Sequence, residues 1–308
     1  MRIVFMGTPD IAADSLRALL AAGHEIAGVY TREDKPVGRR QVLTPPPVKM
    51  LALEKGLPVL QPRTLREEGA AAALAALRPD IVVVVAYGRI LPPDVLAVPR
   101  LGCVNLHVSL LPKYRGAAPV QWAVINGEAE TGVTIMQLDA GLDTGPVLSQ
   151  ETVTIAPDET AGELFEKVSA QGAALLCRTL ADIEAGRVLP CPQQGQASYA
   201  PPLEKGMAQV DFTRPAPQIH NLVRGCNPWP LAWFIHDGKR IKLLESQLLG
   251  DAPAAAPGTV LGTSPLVVAC GEGALVLGRV VPEGARPMAG AEWAAGRRFT
   301  PGSLLCGK

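Results

Sequence analysis

Asp80-Ile81-Val82-Val83-Val84-Val85-Ala86 is the stretch that decides the fold class. From Ile81 to Ala86 it is apolar without interruption and almost wholly β-branched, so it has no polar face to give to water. A strand of that kind is covered on both sides, as in a parallel sheet packed between layers of helices. The run is far too short to cross a bilayer. Outward from it, strands and helices alternate. Ile3-Val4-Phe5-Met6-Gly7 reads as a buried strand, and Pro9 opens a helix with Ile11, Leu16, Leu19 and Leu20 on one face and Gly23 as its stop. Glu25 to Thr31 is a second strand, and a polar loop over 31–41 follows it. A helix is expected around Val48 to Lys55, ending at Gly56. Thr64 with Glu67 forms a capping box ahead of an Ala/Leu helix reaching Leu77. Gly102 to His107 reads as another strand, as do Thr131 to Leu138 and Val147 to Ile155. Thr160 with Glu163 is a second capping box, opening a helix to about Glu184 before Gly186. This alternation implies an open, mostly parallel α/β sheet.

From Pro190 the composition turns to Gln, Pro, Gly and Ser, which is the signature of a linker. Beyond it lie short strand-like runs (Ala232 to His236, Ile241 to Leu244, Leu266 to Cys270, Ala274 to Val281) separated by turn residues. The expected division is 1–189 for the α/β domain, 190–204 for the linker and 205–308 for a small β-barrel of oligonucleotide-binding type.

Composition bounds the function classes. The 308 residues are 48% hydrophobic and 19% charged, with 29 basic and 29 acidic side chains. A slight basic excess after residue 190 permits a nucleic-acid partner without requiring one. The six cysteines and four histidines are dispersed, with no C-x-x-C and no H-E-x-x-H, so no metal site is expected. Met1-Arg2-Ile3-Val4-Phe5 runs at once into a strand and does not read as a signal peptide, so a cytoplasmic protein is expected, without membrane association. Nothing in the sequence demands more than a monomer.

Val104-Asn105-Leu106-His107-Val108-Ser109-Leu110-Leu111-Pro112 carries the chemistry. Asn105 and His107 are two residues apart at a strand end, so both side chains point to one face, and the ends of strands in such sheets are where ligands gather. Leu138-Asp139-Ala140-Gly141-Leu142-Asp143-Thr144-Gly145 then presents a carboxylate on a Gly-punctuated loop. Asn, His and Asp together suit acyl or formyl transfer to an amine. Asn105 and a protonated His107 can each donate a hydrogen bond to the developing oxyanion, and Asp143 can accept or relay the proton that the amine loses. No covalent nucleophile is offered, since there is no G-x-S-x-G and no Cys adjacent to His107. Taken alone, Asn-x-His at a strand end is equally a structural pair, and Asp143 equally a turn residue.

The run from Asn105 through Lys113-Tyr114-Arg115-Gly116-Ala117-Ala118-Pro119 resembles the signature of the formyltetrahydrofolate-dependent formyltransferases. Thr131-Gly132-Val133-Thr134-Ile135-Met136-Gln137-Leu138-Asp139, continuing into Gly141-Leu142-Asp143-Thr144-Gly145-Pro146, resembles their methionyl-tRNA branch. Phe5-Met6-Gly7-Thr8-Pro9-Asp10, Tyr199-Ala200-Pro201, His220-Asn221-Leu222-Val223-Arg224-Gly225 and Asn227-Pro228-Trp229-Pro230 extend the similarity over nearly the whole chain. The resemblance implies a Rossmann-like catalytic domain followed by an OB-like barrel, with Asn105, His107 and Asp143 as the catalytic set. It implies 10-formyltetrahydrofolate as formyl donor, bound by Ser109, Leu110, Leu111 and Pro112. It also implies a pterin pocket along Val84 to Leu91 that includes Tyr87, Gly88 and Ile90. The implied acceptor is initiator methionyl-tRNA, with Lys35, Arg39 and Arg40 of the polar loop and Arg224 of the second domain as its contacts. Val108 stands where the family usually has a small residue such as Gly, Phe212 where Trp is usual, and Pro202 where Lys is common.

Other features are weaker. Gly7-Thr8-Pro9 lacks the G-x-G-x-x-G pattern and reads as a tight strand-to-helix turn. Trp229 between two prolines reads as a packing residue. Two alternatives stay open at this level: a formyltransferase acting on an amino-sugar nucleotide or a glycinamide ribonucleotide, and a non-catalytic RNA-binding protein.

Overall fold

The structure is a computed structural model and describes residues 1–38, 40–250 and 252–305. The chain divides into two compact units. Met1–Gly116, Thr131–Val153 and Phe165–Tyr199 form the first; Ala117–Glu130, Thr154–Leu164 and the chain from Ala200 onward form the second. The first half of the chain runs β1 (Arg2–Gly7), α1 (Asp10–Ala21), β2 (Glu25–Tyr30), β3 (Lys35–Val37), β4 (Val42–Thr44), α2 (Pro47–Glu54), β5 (Val59–Leu60), α3 (Ala70–Ala76), β6 (Ile81–Val85), α4 (Pro93–Leu96), β7 (Cys103–His107) and β8 (Arg115–Gly116). It continues through α5 (Pro119–Ile125), β9 (Glu130–Gln137), β10 (Val147–Thr154), α6 (Ala161–Glu184) and β11 (Tyr199–Ala200).

The main sheet of the first unit has the order β10-β9-β7-β6-β1-β2-β5. β1 pairs parallel with β2 and β6, and β6 pairs parallel with β7, while β9 joins β7 antiparallel. All five residues of β6 are buried, as an apolar run in mid-sheet requires. Gly7 closes β1 because a Cβ there would lie 2.6 Å from the Cβ of Ala12 and 2.9 Å from the Val85 carbonyl oxygen. The glycine lets α1 lie against the strand; it is a packing device.

Two local expectations are corrected. The Thr64–Glu67 capping box does not form. The Thr64 hydroxyl instead accepts from the Arg66 N–H two residues on, at 3.1 Å, and α3 begins only after Gly69 at φ +86°. A threonine hydroxyl satisfied by its own neighbour is lost to the helix beyond. The polar loop over 31–41 is the first limb and tip of a hairpin, with Lys35 opposite Thr44 and Val37 opposite Val42. Its base is tied down by Lys49, which donates to Asp34 at 2.8 Å and to Gln61 at 2.9 Å, and by Gln61, which donates to the Arg32 carbonyl at 2.7 Å. The Thr160–Glu163 box does form: Glu163 accepts from the Thr160 N–H at 2.8 Å, and Thr160 Oγ1 accepts from the Glu163 N–H at 3.2 Å.

The second unit adds α7 (Ala216–Gly225), β12 (Ala232–His236), β13 (Lys239–Leu249), β14 (Val260–Thr263), β15 (Leu266–Ala269), β16 (Ala274–Pro282), β17 (Met288–Ala289) and α8 (Gly290–Arg297). The barrel-like part expected from sequence is an antiparallel sheet in the order β12-β13-β16-β15-β14, with β17 paired to β16. Register shifts along β13 between Leu243 and Ser246 bend it. Its core includes Phe212, Phe234 and Trp293, with ring centroids 5.4 and 5.9 Å apart in edge-to-face contact. Phe212, where the family resemblance leads one to expect Trp, is buried in this core. Trp229 is corrected as well: it is 53% exposed and packs no core.

Candidate active site

β7 is parallel to β6, with Asn105 opposite Val84, so the turn after β6 and the chain after β7 emerge side by side. Asn105 and His107, on one face at the end of β7, are both buried. The Asn105 carboxamide has no side-chain hydrogen-bond partner among the described residues, so its N–H groups are free for a ligand oxygen. His107 Nε2 lies 2.9 Å from the Tyr114 carbonyl oxygen. A carbonyl can only accept, so this nitrogen carries the proton, and in the neutral ring Nδ1 holds the lone pair. Nδ1 faces Asp143, with Oδ2 at 3.8 Å. That is too long for a direct hydrogen bond but close enough to stabilise an imidazolium. With Nε2 committed to a carbonyl, Nδ1 is the nitrogen left to meet a substrate, as an acceptor in the neutral ring and as a donor only in the imidazolium.

Asp143 comes from the loop between β9 and β10, where glycines are required. A Cβ on Gly145 would overlap the Gln137 carbonyl oxygen, and one on Gly141 would overlap the Thr144 hydroxyl. Asp143 itself sits at φ +52°, and Tyr114, which holds His107, at φ +59°. Asp143 Oδ2 accepts from the Gly116 N–H at 2.8 Å, which fixes the carboxylate beside His107.

The 109–112 segment is rigid. Ser109 Oγ donates to the Lys113 carbonyl at 2.6 Å. Buried Thr134, paired with His107 across β7 and β9, donates to the Ser109 carbonyl at 2.6 Å and accepts from Leu111 N–H at 3.3 Å and Gln150 Nε2 at 2.8 Å. Leu111 is buried, while Leu110 and Pro112 are half-buried; the Ser109 hydroxyl is thus spent inside the loop.

Along the other side, Gly88 at φ +74° turns the chain after β6, with Arg32 against it, and Ile90 is 68% exposed. Tyr87 departs from expectation. It is only 1% exposed and belongs to the core under the sheet, and its carbonyl accepts from the Thr8 hydroxyl at 3.2 Å. Its side chain packs in this core, so what it can present at the turn is backbone. Burial raises its phenol to about 12. Arg224 is corrected too. It is 6% exposed, donates to Asn221 Oδ1 at 2.9 Å and to the Glu159 carbonyl at 3.2 Å, and burial lowers its pKa. A guanidinium committed to interior acceptors does not meet phosphate. Lys35 and Arg40 are exposed on the hairpin, and Arg39 lies outside the described residues.

The sequence reading misses one contributor. Residues 191–198 of the 190–204 stretch, linker-like in composition, are hydrogen-bonded within the first unit, while Ala200 onward belongs to the second. Cys191 exchanges both backbone hydrogen bonds with Val147, and the Arg115 N–H donates to the Ser198 carbonyl at 2.9 Å. Glutamine and serine there find loop carbonyls and N–H groups instead of water. Cys103, nearest in sequence to Asn105, is no ready nucleophile, since burial raises its thiol to about 12. Among the described residues no three His, Cys, Asp or Glu side chains form a group able to hold a metal ion.

A formyl transferase family model matches residues 1–180, and the model of the formyl transferase C-terminal domain matches residues 202–298. A methionyl-tRNA formyltransferase from Myxococcus xanthus is 48% identical over 98% of this chain and 97% of its own length. The chain belongs to the formyl transferase family, among the methionyl-tRNA formyltransferases. Solved structures share the formyltransferase fold at lower identity. A sugar 3N-formyl transferase, WlaRD, crystallised in the presence of dTDP and 5-N-formyl-THF, superposes with TM-score 0.69 at 19% identity, covering 93% of this chain and 99% of that one. HypX from Aquifex aeolicus in complex with tetrahydrofolic acid superposes with TM-score 0.64 at 17% identity over 96% of this chain. The formyltransferase spans only 47% of that longer protein. No helix among its described residues is long and apolar enough to cross a membrane.

Proposed function

We propose that this enzyme transfers the formyl group of 10-formyltetrahydrofolate to the α-amino group of initiator methionyl-tRNA. The observation that carries the reading is the His107–Asp143 pair beside the free Asn105 amide, in a chain 48% identical to a methionyl-tRNA formyltransferase along almost its whole length. The donor, a substrate, supplies a formyl group on a nitrogen able to leave. A buried carboxamide without a protein partner fits such a carbonyl oxygen. The neighbouring 109–112 loop and the turn through Gly88 and Ile90 are the walls proposed for the folate, with Tyr87 as support from beneath.

An α-amine has a pKa of about 8, so a useful fraction is neutral at physiological pH. As it adds to the formyl carbon, Asn105 donates to the oxygen that becomes negative. Nδ1 of His107 takes the proton that the amine loses, and Asp143 stabilises the resulting imidazolium. The same proton is returned to the departing folate nitrogen as its bond to carbon breaks. One N–C bond forms, one breaks, and one proton changes nitrogen.

The division of labour proposed is catalysis in 1–189, with 190–204 joining it to tRNA contact in 205–308 and lending Gln193 and Ser198 to the catalytic side, aided by Lys35, Arg39 and Arg40 of the polar loop. All three proposed catalytic side chains come from one chain, so a monomer suffices for the chemistry; its proposed place is the cytoplasm.

The test is formyl transfer by the purified protein from 10-formyltetrahydrofolate to Met-tRNA, in competition with a dTDP-amino sugar and glycinamide ribonucleotide. Comparable rates on either small acceptor would overturn the assignment of the acceptor. His107→Ala and Asp143→Ala should nearly abolish turnover with folding intact, and full activity in either would overturn the site. Arg40→Glu should raise KM for tRNA and flatten its salt dependence.

A further inference from the structure

Asp143 is held in a left-handed backbone conformation, which a non-glycine residue keeps only where its surroundings fix it. Much of that fixing comes from one side chain in the linker-like segment. Gln193 Nε2 donates to the Asp143 carbonyl at 2.8 Å and to the Gly145 carbonyl at 2.9 Å. Its Oε1 accepts from Arg115 at 3.2 Å from Nε and 2.6 Å from Nη2. Both amide protons and the amide oxygen are thus committed. Gln193 bridges the loop that carries Asp143 to Arg115, the residue preceding the Gly116 N–H that holds the Asp143 carboxylate. Five residues on, the Tyr114 N–H donates to Ser198 Oγ at 2.9 Å, and Tyr114 in turn presents the carbonyl that His107 uses. The segment 193–198 therefore grips the backbone on both sides of the His107–Asp143 pair.

We propose that Gln193 is a positioning residue for Asp143, and through it for proton transfer at His107. Without the two amide donors, the 139–145 loop is free to leave its left-handed geometry, and the carboxylate moves off the imidazole. The proposal rests on Asp143 acting in catalysis, and the experiment separates the two claims.

Formyl transfer to Met-tRNA is measured for wild type, Gln193→Ala, Gln193→Glu, Asp143→Asn and the double variant Asp143→Asn/Gln193→Ala, with Gln194→Ala as an exposed neighbour control. Gln193→Ala should lower kcat by roughly 10- to 100-fold, the scale of an ångström-sized misplacement of a catalytic group. KM for both substrates should change little, and the pH profile of kcat should shift. Gln193→Glu keeps the acceptor for Arg115 but loses the donors, so it should be at least as slow. The double variant should be no slower than Asp143→Asn alone, because the glutamine acts through the carboxylate. Full kcat in Gln193→Ala, or an equal further loss in the double variant, overturns the positioning role. Full activity in Asp143→Asn overturns the catalytic assignment itself, and the proposal with it.

Discussion

Asn105 shows how one unpartnered group defines a site. A buried polar side chain normally finds a partner within the protein, and this one, without a side-chain partner among the described residues, is the donor proposed for a substrate oxygen. Asn105→Ala should lower kcat by about 100- to 1000-fold, as loss of an oxyanion donor does elsewhere. It removes no hydrogen bond between described side chains, so the thermal midpoint should barely move. Steady-state kinetics beside a melting curve checks both, and a destabilised protein with normal kcat would count against the role. Asn105 and His107 are legible in sequence because strand alternation puts i and i+2 on one face. Asp143 is legible only with help, since a carboxylate among glycines is equally a turn. The tautomer of His107 is not legible at all; it depends on the Tyr114 carbonyl, whose left-handed backbone no local pattern signals. Arg224 misleads for the opposite reason. The resemblance makes this arginine a tRNA contact, and only the folded chain reveals the carbonyls of the 156–159 turn that claim it.

At the level of elements, what was legible followed apolar content. β6 and β12 fall where their β-branched and aromatic runs put them. α7 was not anticipated, because its buried face holds His220 and Arg224 among the apolar residues and so blurs the helical period. The two capping boxes share one motif and differ in outcome. At α6 both reciprocal bonds form; at Thr64 the hydroxyl is taken locally and Gly69 delays the helix. The α6 box carries a pH signature. Backbone and side-chain hydrogen bonds from Thr160 hold the Glu163 carboxyl below the usual carboxylate range. A depressed folded pKa contributes stability above the unfolded value, and that stability is lost as pH falls through the folded one. Wild type should therefore be more stable than Glu163→Gln at pH 7, with the gap closing below roughly pH 4. Urea titrations at stepped pH values measure this, and a gap that widens on acidification would refute the assignment.

Over the whole molecule, compactness does not follow chain order. Ala117–Glu130 and Thr154–Leu164 belong to the second unit although the family signature runs into the first of them. For the first of them the cause is close packing of α5 on α7 at Gly225, where a Cβ would overlap the Ile125 side chain and come within 3.2 Å of the Gln121 carbonyl oxygen; the second is held by Arg224 on the Glu159 carbonyl and by the Gly162 N–H on the Asn227 carbonyl. Gly225→Ala should destabilise this packing by about 1–3 kcal/mol, the usual cost of overpacking, read as a lower denaturant midpoint; an unchanged midpoint would mean the helices yield freely. No composition shift marks such an exchange, because it depends on which helix faces meet. The grip of Gln193 and Ser198 on the catalytic loops also has a consequence for birth on the ribosome. A nascent chain emerges from its N-terminus at about 5–20 residues per second. Once β10 and α6 are out, the sheet that bears Asn105 and His107 can already close, yet the residues that steady Tyr114 and Asp143 are still inside the exit tunnel. A chain released short of residue 193 should fold its sheet yet hold His107 and Asp143 loosely, so translation would complete the scaffold first and switch on the chemistry only afterwards.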